Sequence, residues 1–139
     1  MSLFDAMNIA STALTAQTTK LNTVAQNLAN ANTVASSPDE TYTARAPLFR
    51  AVLEGQIDPA DASQLGVVVE DIVEVGGPAR QEFNPAHPLA DENGYIYKPA
   101  IDASTEMAEM MQASRSFQNS VEAINTAKQL ALRTLTLGK

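Results

Sequence analysis

The sequence has no cysteine and no tryptophan, one histidine, and only three tyrosines and four phenylalanines in 139 residues. Without cysteine there can be no disulfide, no thiolate nucleophile and no thiolate metal site. So few aromatics also limit the large anchors a core can bury. Basic residues are scarce: nine Lys and Arg stand against sixteen Asp and Glu, for a formal net charge of -7. That balance excludes the clustered cations that phosphate recognition needs, so no nucleic-acid partner is expected. No run reaches the roughly 18 apolar residues of a membrane span, so direct membrane insertion is not expected. The start, Met1-Ser2-Leu3-Phe4-Asp5, has no basic stretch ahead of an apolar run. A cleaved secretory signal is therefore not expected, and synthesis in the cytoplasm is. What is present is a 45% hydrophobic chain, long enough for one ordinary domain or a small domain with extended elements.

Proline and glycine are absent from about the first 32 residues. There Met7, Ala10, Leu14, Gln17, Leu21, Val24, Leu28 and Ala31 recur in steps of three and four, the stripe of a long helix. Ser2 suits its N-cap, and Ser36-Ser37-Pro38 marks a stop beyond its end. All seven prolines and five of the six glycines fall between Pro38 and Pro99. Within that stretch Thr41 to Leu53 reads as an edge or bent strand around Pro47, and Gly66 to Val75 as a second strand. A short extended run is expected over Arg80 to Phe83, and Asn93-Gly94 predicts a turn into Tyr95-Ile96-Tyr97. From Asp102, a candidate N-cap, a second helical stripe runs through Met107, Met110, Ser114, Phe117, Val121, Ile124, Lys128, Ala131 and Leu135 to a Gly138-Lys139 stop.

The expected fold is mainly α with a small β insert, the terminal helices pairing as an antiparallel coiled coil that buries both stripes. Residues 1–35 and 101–139 would form one helical core, and 36–100 the β-rich insert. The seam residues Met7, Leu14, Leu21, Val24 and Leu28, with Met107, Met110, Phe117, Val121, Ile124 and Leu135, are the expected subunit-interface positions.

The flanks of those seams are unusual. Asp5 and Lys20 are the only charges before Asp39, and the outward positions of the first helix are Asn, Ser, Thr, Gln and Ala. A coiled coil standing in water normally carries Glu and Lys there. Burying an unpaired charge costs several kcal/mol, whereas a neutral amide or hydroxyl costs about 1–3 and can recover that through one hydrogen bond. Such a face is suited to being covered by another subunit; a neutral solvated face is the alternative reading. Leu130, Leu132, Leu135 and Leu137 fall on different sides of the last helix, which implies either enclosure or a loose tail. Acidic residues, Glu54, Asp58 and Asp61 among them, concentrate in the insert and point it toward solvent or a charged partner.

Catalytic readings do not assemble. His87 has no second nitrogen or sulfur ligand near it in sequence, so no metal and no cofactor are expected. Asp91-Glu92-Asn93-Gly94 places its glycine two positions too early for a calcium loop. Glu106 and Glu109 are an ordinary helix-surface pair, and Met107, Met110 and Met111 read as adaptable packing. No phosphate loop or nucleophile–base arrangement occurs, so an enzyme is not expected.

The Asn-rich run Asn27-Leu28-Ala29-Asn30-Ala31-Asn32-Thr33 at the end of the first helix resembles the motif shared by the axial rod and hook proteins of the bacterial flagellum. Within that group the resemblance is to proximal-rod proteins. It rests on Asn84-Pro85-Ala86-His87-Pro88-Leu89-Ala90-Asp91, on Gly94-Tyr95, on the run from Ala113 to Lys128, and on the ending Thr134-Leu135-Thr136-Leu137-Gly138. One departure is Pro99-Ala100-Ile101-Asp102, where the family has Pro-Asn-Val-Asp. The resemblance implies export by the flagellar type III apparatus without a cleaved signal. It then implies helical assembly, with copies of itself and other rod proteins, into the drive shaft that carries motor torque across the periplasm. It also implies that Asn27, Asn30 and Asn32 close the helix end or bind a neighbouring subunit's backbone. The alternatives are another axial component, or a helical-hairpin adaptor or export chaperone.

Overall fold

A computed structural model describes residues 3–52 and 66–137, with only the backbone of Leu137. The candidate caps Ser2, Gly138 and Lys139, the strand end at Leu53, and Glu54, Asp58 and Asp61 lie outside the described residues. Helix α1 spans Leu3–Asn30 and helix α2 spans Ala103–Leu137. Between them come a 3-10 turn at Pro38–Glu40 and strands β1 (Arg45–Val52), β2 (Gly66–Glu74), β3 (Arg80–Phe83) and β4 (Tyr95–Lys98). The order is thus two long terminal helices around a β segment. No helix among the described residues is long and apolar enough to cross a membrane.

Helix α1 is uninterrupted for 28 residues because nothing in it breaks the backbone ladder. Its many threonines, poor helix formers in water, turn their hydroxyls inward. Thr12, Thr15, Thr18, Thr19 and Thr23 each donate to a carbonyl three or four residues back, at 2.8–3.3 Å. Contacts between the helices descend α1 as they ascend α2. Asn27 meets Glu106, Lys20 meets Glu109, Ala10 and Ala13 face Ser120, and Leu3 lies by Leu130.

Strands β1 and β2 form an antiparallel ribbon with a register break between Leu48 and Phe49, and β3 and β4 form a second one. A two-stranded ribbon has only edge strands, which is where Pro47 is tolerated. The first ribbon folds back on α1: the Val67 N–H donates to Thr12 Oγ1 at 3.2 Å, and Val67 to Val69 line a groove with Thr12, Thr15, Ala16 and Thr19. Gly66 permits this approach. Its φ is +142°, and a Cβ there would sit 2.0 Å from Thr12 Oγ1. Part of the neutral threonine face is therefore covered by the chain's own β segment.

The core lies at one end of the helix pair. Ala31, Ala44 and Ile101 pack with Tyr42, and Ile96, 1% exposed, and Tyr97 are buried on β4. Ala35 exchanges two backbone hydrogen bonds with Tyr97, at 2.9 and 3.1 Å, so the exit of α1 is stitched to β4. Among the described residues, the other end, from Leu3 to Ala10 against Asn119 to Leu130, meets only helix on helix.

Gly66→Ala should destabilise the protein by about 1–3 kcal/mol, through the strained φ and the collision with Thr12. A urea midpoint equal to that of the natural chain would show that β2 does not rest on α1.

Candidate assembly site

The described residues divide into a polar clamp at the core end and, beyond it, a helical end where α1 is nearly free of charge. Asn27, 2% exposed in the last two turns of α1, is the centre of the clamp. Its Oδ1 accepts from the Arg45 backbone N–H at 3.0 Å and the Tyr42 hydroxyl at 2.9 Å. Its Nδ2 donates to the Arg45 carbonyl at 2.9 Å and to Glu106 Oε2 at 3.2 Å. An asparagine amide offers two donor hydrogens and two acceptor lone pairs, and all four are used. The side chain therefore pairs with Arg45 as a neighbouring strand would, and reaches α2 as well. The Arg45 guanidinium sits 5.9 Å from the centre of the Tyr42 ring and 3.7 Å from Glu74. Two turns back along α1, Lys20 pairs with Glu109 at 3.4 Å across the helices.

The other asparagines differ. Asn30 donates to the Gln26 carbonyl at 2.8 Å, a local closure of the helix end, while Asn32 is exposed past it. Asn27, by contrast, binds strand β1 of its own chain, a long-range role that its place in an Asn-rich run did not signal.

Val24 is buried against α2 and β1, and Met7, Leu14, Leu21, Leu28, Met110, Phe117, Val121 and Ile124 are half-buried. Met107 and Leu135 are 51% and 70% exposed, so they form no part of the seam within one chain. The most enclosed seam positions are the expected Val24 together with Ala16, Thr23, Ala113 (1% exposed) and Ala127. Sequence reasoning ranked large apolar residues first and passed over these alanines. They set the line because small side chains let two helix backbones approach, while Leu14, Leu21 and Leu28 flank the contact. The end of the helix pair far from the core also exposes Phe4, Leu130, Leu132 and Leu135.

Asp102 caps α2 as expected, accepting from the Thr105 hydroxyl at 2.6 Å and the Ser104 N–H at 3.2 Å. The Thr105 hydrogen bond, helped by Ser104, holds its carboxyl below the ordinary 3.8. Asp91 is also held low, chiefly by the Tyr95 N–H, with Asn93 and the Tyr97 hydroxyl adding to it. Burial and that same contact raise the Tyr97 phenol. His87 Nδ1 accepts from the Leu89 N–H at 3.1 Å and so organises its own turn. Among the described residues no three His, Cys, Asp or Glu side chains gather where they could hold a metal ion.

Two family models match the chain, a flagella basal body rod protein model over residues 7–34 and a flagellar basal body rod FlgEFG protein C-terminal model over residues 92–137. A flagellar basal-body rod protein FlgC from Escherichia coli is 41% identical over the full length of both chains. The chain belongs to the FlgC family of flagellar basal-body rod proteins. FlgC proteins of Salmonella typhimurium and Buchnera aphidicola are 40% and 34% identical, again over the full length of each chain. The two stretches matched by the family models are most of α1 with its exit, and β4 with α2 and the turn before β4. Asn27, through Glu106, and the helix contacts join these segments, and the Ala35–Tyr97 bridge adds a tie one residue past the first.

Asn27→Ala would strip partners from the Arg45 N–H and carbonyl and from the Tyr42 hydroxyl. At about 1–3 kcal/mol for each buried group left unsatisfied, the expected loss is roughly 3 kcal/mol or more. A denaturation free energy within 0.5 kcal/mol or so of the natural chain would show the clamp to be dispensable. Acid gives a second check. Both lowered aspartates contribute stability that is complete above their unfolded value near 3.8 and lost as pH falls through the folded values. The double variant Asp91→Asn/Asp102→Asn should therefore unfold less steeply in acid, and an unchanged acid transition would contradict the assignment.

Proposed function

We propose that the chain is a structural subunit of the flagellar proximal rod. It assembles there helically, with copies of itself and with other rod proteins, into the shaft that passes torque outward. The observation that carries this reading is the full-length likeness to FlgC rod proteins. The surface supports it: the helical end is uncharged over most of α1, its threonine hydroxyls are already satisfied within the helix, and Phe4, Leu130, Leu132 and Leu135 are left exposed. Leaving several such side chains in water forgoes roughly 1.5–3 kcal/mol for each one a neighbour could enclose.

In this reading the terminal segments, 1–35 and 101–139, pair as an antiparallel coiled coil near the rod axis, and the β-rich segment 36–100 lies further out. Met7, Leu14, Leu21, Val24 and Leu28, with Met107, Met110, Phe117, Val121, Ile124 and Leu135, supply the seams between and within subunits. The exposed Met107 and Leu135 belong to contacts between subunits. Close-packed helices resist compression, which suits a shaft under torsion. Export without a cleaved signal, through the flagellar type III apparatus, completes the proposal.

Leu135→Asp tests it with little risk to folding, because the residue is already exposed. The isolated variant should match the natural chain in stability to within about 0.5 kcal/mol. Cells carrying it should lose swimming, and their purified basal bodies should lack the variant chain. Normal motility with normal incorporation would sink the proposed packing of the free end.

A further inference from the structure

Among the described residues, two of the exposed apolar features away from the free helix end complement each other. One is the tip of the β3–β4 hairpin. Phe83, 65% exposed, and Tyr95, 38% exposed, meet edge to face with centroids 5.3 Å apart, and Leu89 is exposed in the intervening loop. This tip is held from beneath. The Asn84 N–H donates to the Gly94 carbonyl at 2.9 Å, and Asp91 Oδ1 gathers the N–H groups of Asn93 and Tyr95 at 2.9 and 2.8 Å. Gly94, with φ +81°, is packed so closely that a Cβ would lie 3.0 Å from the Phe83 ring and 3.1 Å from Pro85. A contact made by such a preorganised surface loses little conformational freedom.

The other feature is on α2. Met107, Met111 and Arg115 follow one another at four-residue spacing, and all three are exposed. Glu106 and Glu109, on the inner face, turn instead to Asn27 and Lys20. Arg115 takes part in none of the four ion pairs among the described residues, and neither does Glu92, exposed in the hairpin loop between Leu89 and Tyr95.

We propose that the hairpin tip of one copy docks on the Met107–Met111–Arg115 stripe of a second copy. The two surfaces complement each other chemically. Thioethers pack well against aromatic rings, a guanidinium is attracted to a ring face, and Arg115 and Glu92 carry opposite charges. Aromatic residues, Met and Arg are also the types enriched at protein interfaces. Both patches stay exposed on one chain, so they do not cover each other within it. Their size points to a polymer and not a free dimer. Two partly exposed aromatics of about 150–250 Å² each fall well short of the roughly 800 Å² per partner that a stable pair needs. The contact acts where the helices already hold subunits together, and joining two different patches lets it repeat along a helical array. It therefore rests on the rod reading.

The absence of native cysteine makes cross-linking clean. Flagellated cells carrying the full chain as Phe83→Cys/Met111→Cys are oxidised mildly, and their basal bodies are resolved on a denaturing gel. A ladder of species starting at twice the chain mass, missing from both single variants, is the expected result. An incorporated double variant that stays monomeric, or that joins a protein of another mass, overturns the pairing and leaves the rod reading intact. Absence of the natural chain from basal bodies overturns both. Charge exchange provides the second measurement. Glu92→Arg and Arg115→Glu should each lower swimming speed at least threefold, and the two together should restore it to within twofold. Failure of the combination to restore it overturns the proposal even where the cysteine variants do not assemble.

Discussion

One side-chain amide joins three parts of the chain that are far apart in sequence. Asn27 satisfies both backbone groups of Arg45 at the start of β1, receives Tyr42, and reaches Glu106 in the first turn of α2. A buried amide leaves unsatisfied groups behind unless its partners sit in one arrangement, so it specifies geometry as well as contributing stability. Once Asn27 is seated, the start of β1, the direction of α2 and the register of Lys20 with Glu109 are all constrained. A large apolar residue at this position would tolerate sliding of α2 along α1. The polar clamp does not.

From that fixed end the molecule becomes progressively less defended. Near Asn27 the helices are flanked by β1, β4 and the Ala31–Ala44–Ile101 cluster. Further along, β2 covers one side of α1 as far as Thr12. Beyond it, among the described residues, only the two helices remain, meeting through alanines and short polar residues. Small residues bring backbones close but bury little area, so this end has the least to hold it in an isolated chain. The gradient from clamped to open follows from which residue sizes occupy the seam.

The helices, the four strands and the Asn93-Gly94 turn were legible in the sequence because each rests on a local signal. Those signals are a run free of breakers, Pro47 at an edge, and a glycine at positive φ. Asp102 was legible as a cap for the same reason, and it kept that role although the residues before it depart from the family pattern. What local signals could not reveal was how faces are shared. Periodicity gave a seam through Met7, Leu14, Leu21, Val24 and Leu28, but α1 serves two partners, α2 and the first ribbon. The most enclosed line therefore keeps Val24 and adds Ala16, Thr23 and Asn27. Asn27 was noticed as part of a motif, yet its partner lies 18 residues away in β1, a pairing that no sequence spacing discloses.

The threonines connect this folding logic to the proposed assembly. A hydroxyl bonded to the carbonyl of the preceding turn has met its main hydrogen-bonding need before any partner arrives. Such a threonine can then lie against β2, as Thr12 and Thr19 do, or stand in water, as Thr18 does, with little change in polar satisfaction. A charged residue lacks that freedom, because it must find a counterion each time it is covered. Charge in this chain is accordingly concentrated on the β segment and on the solvent side of α2, where pairs such as Arg50 with Glu70 are exposed. Covering the helices of one subunit with those of another thus requires few new polar partners. Apolar area and close packing alone can drive it, and the charged outer surface is left to decide which neighbours fit.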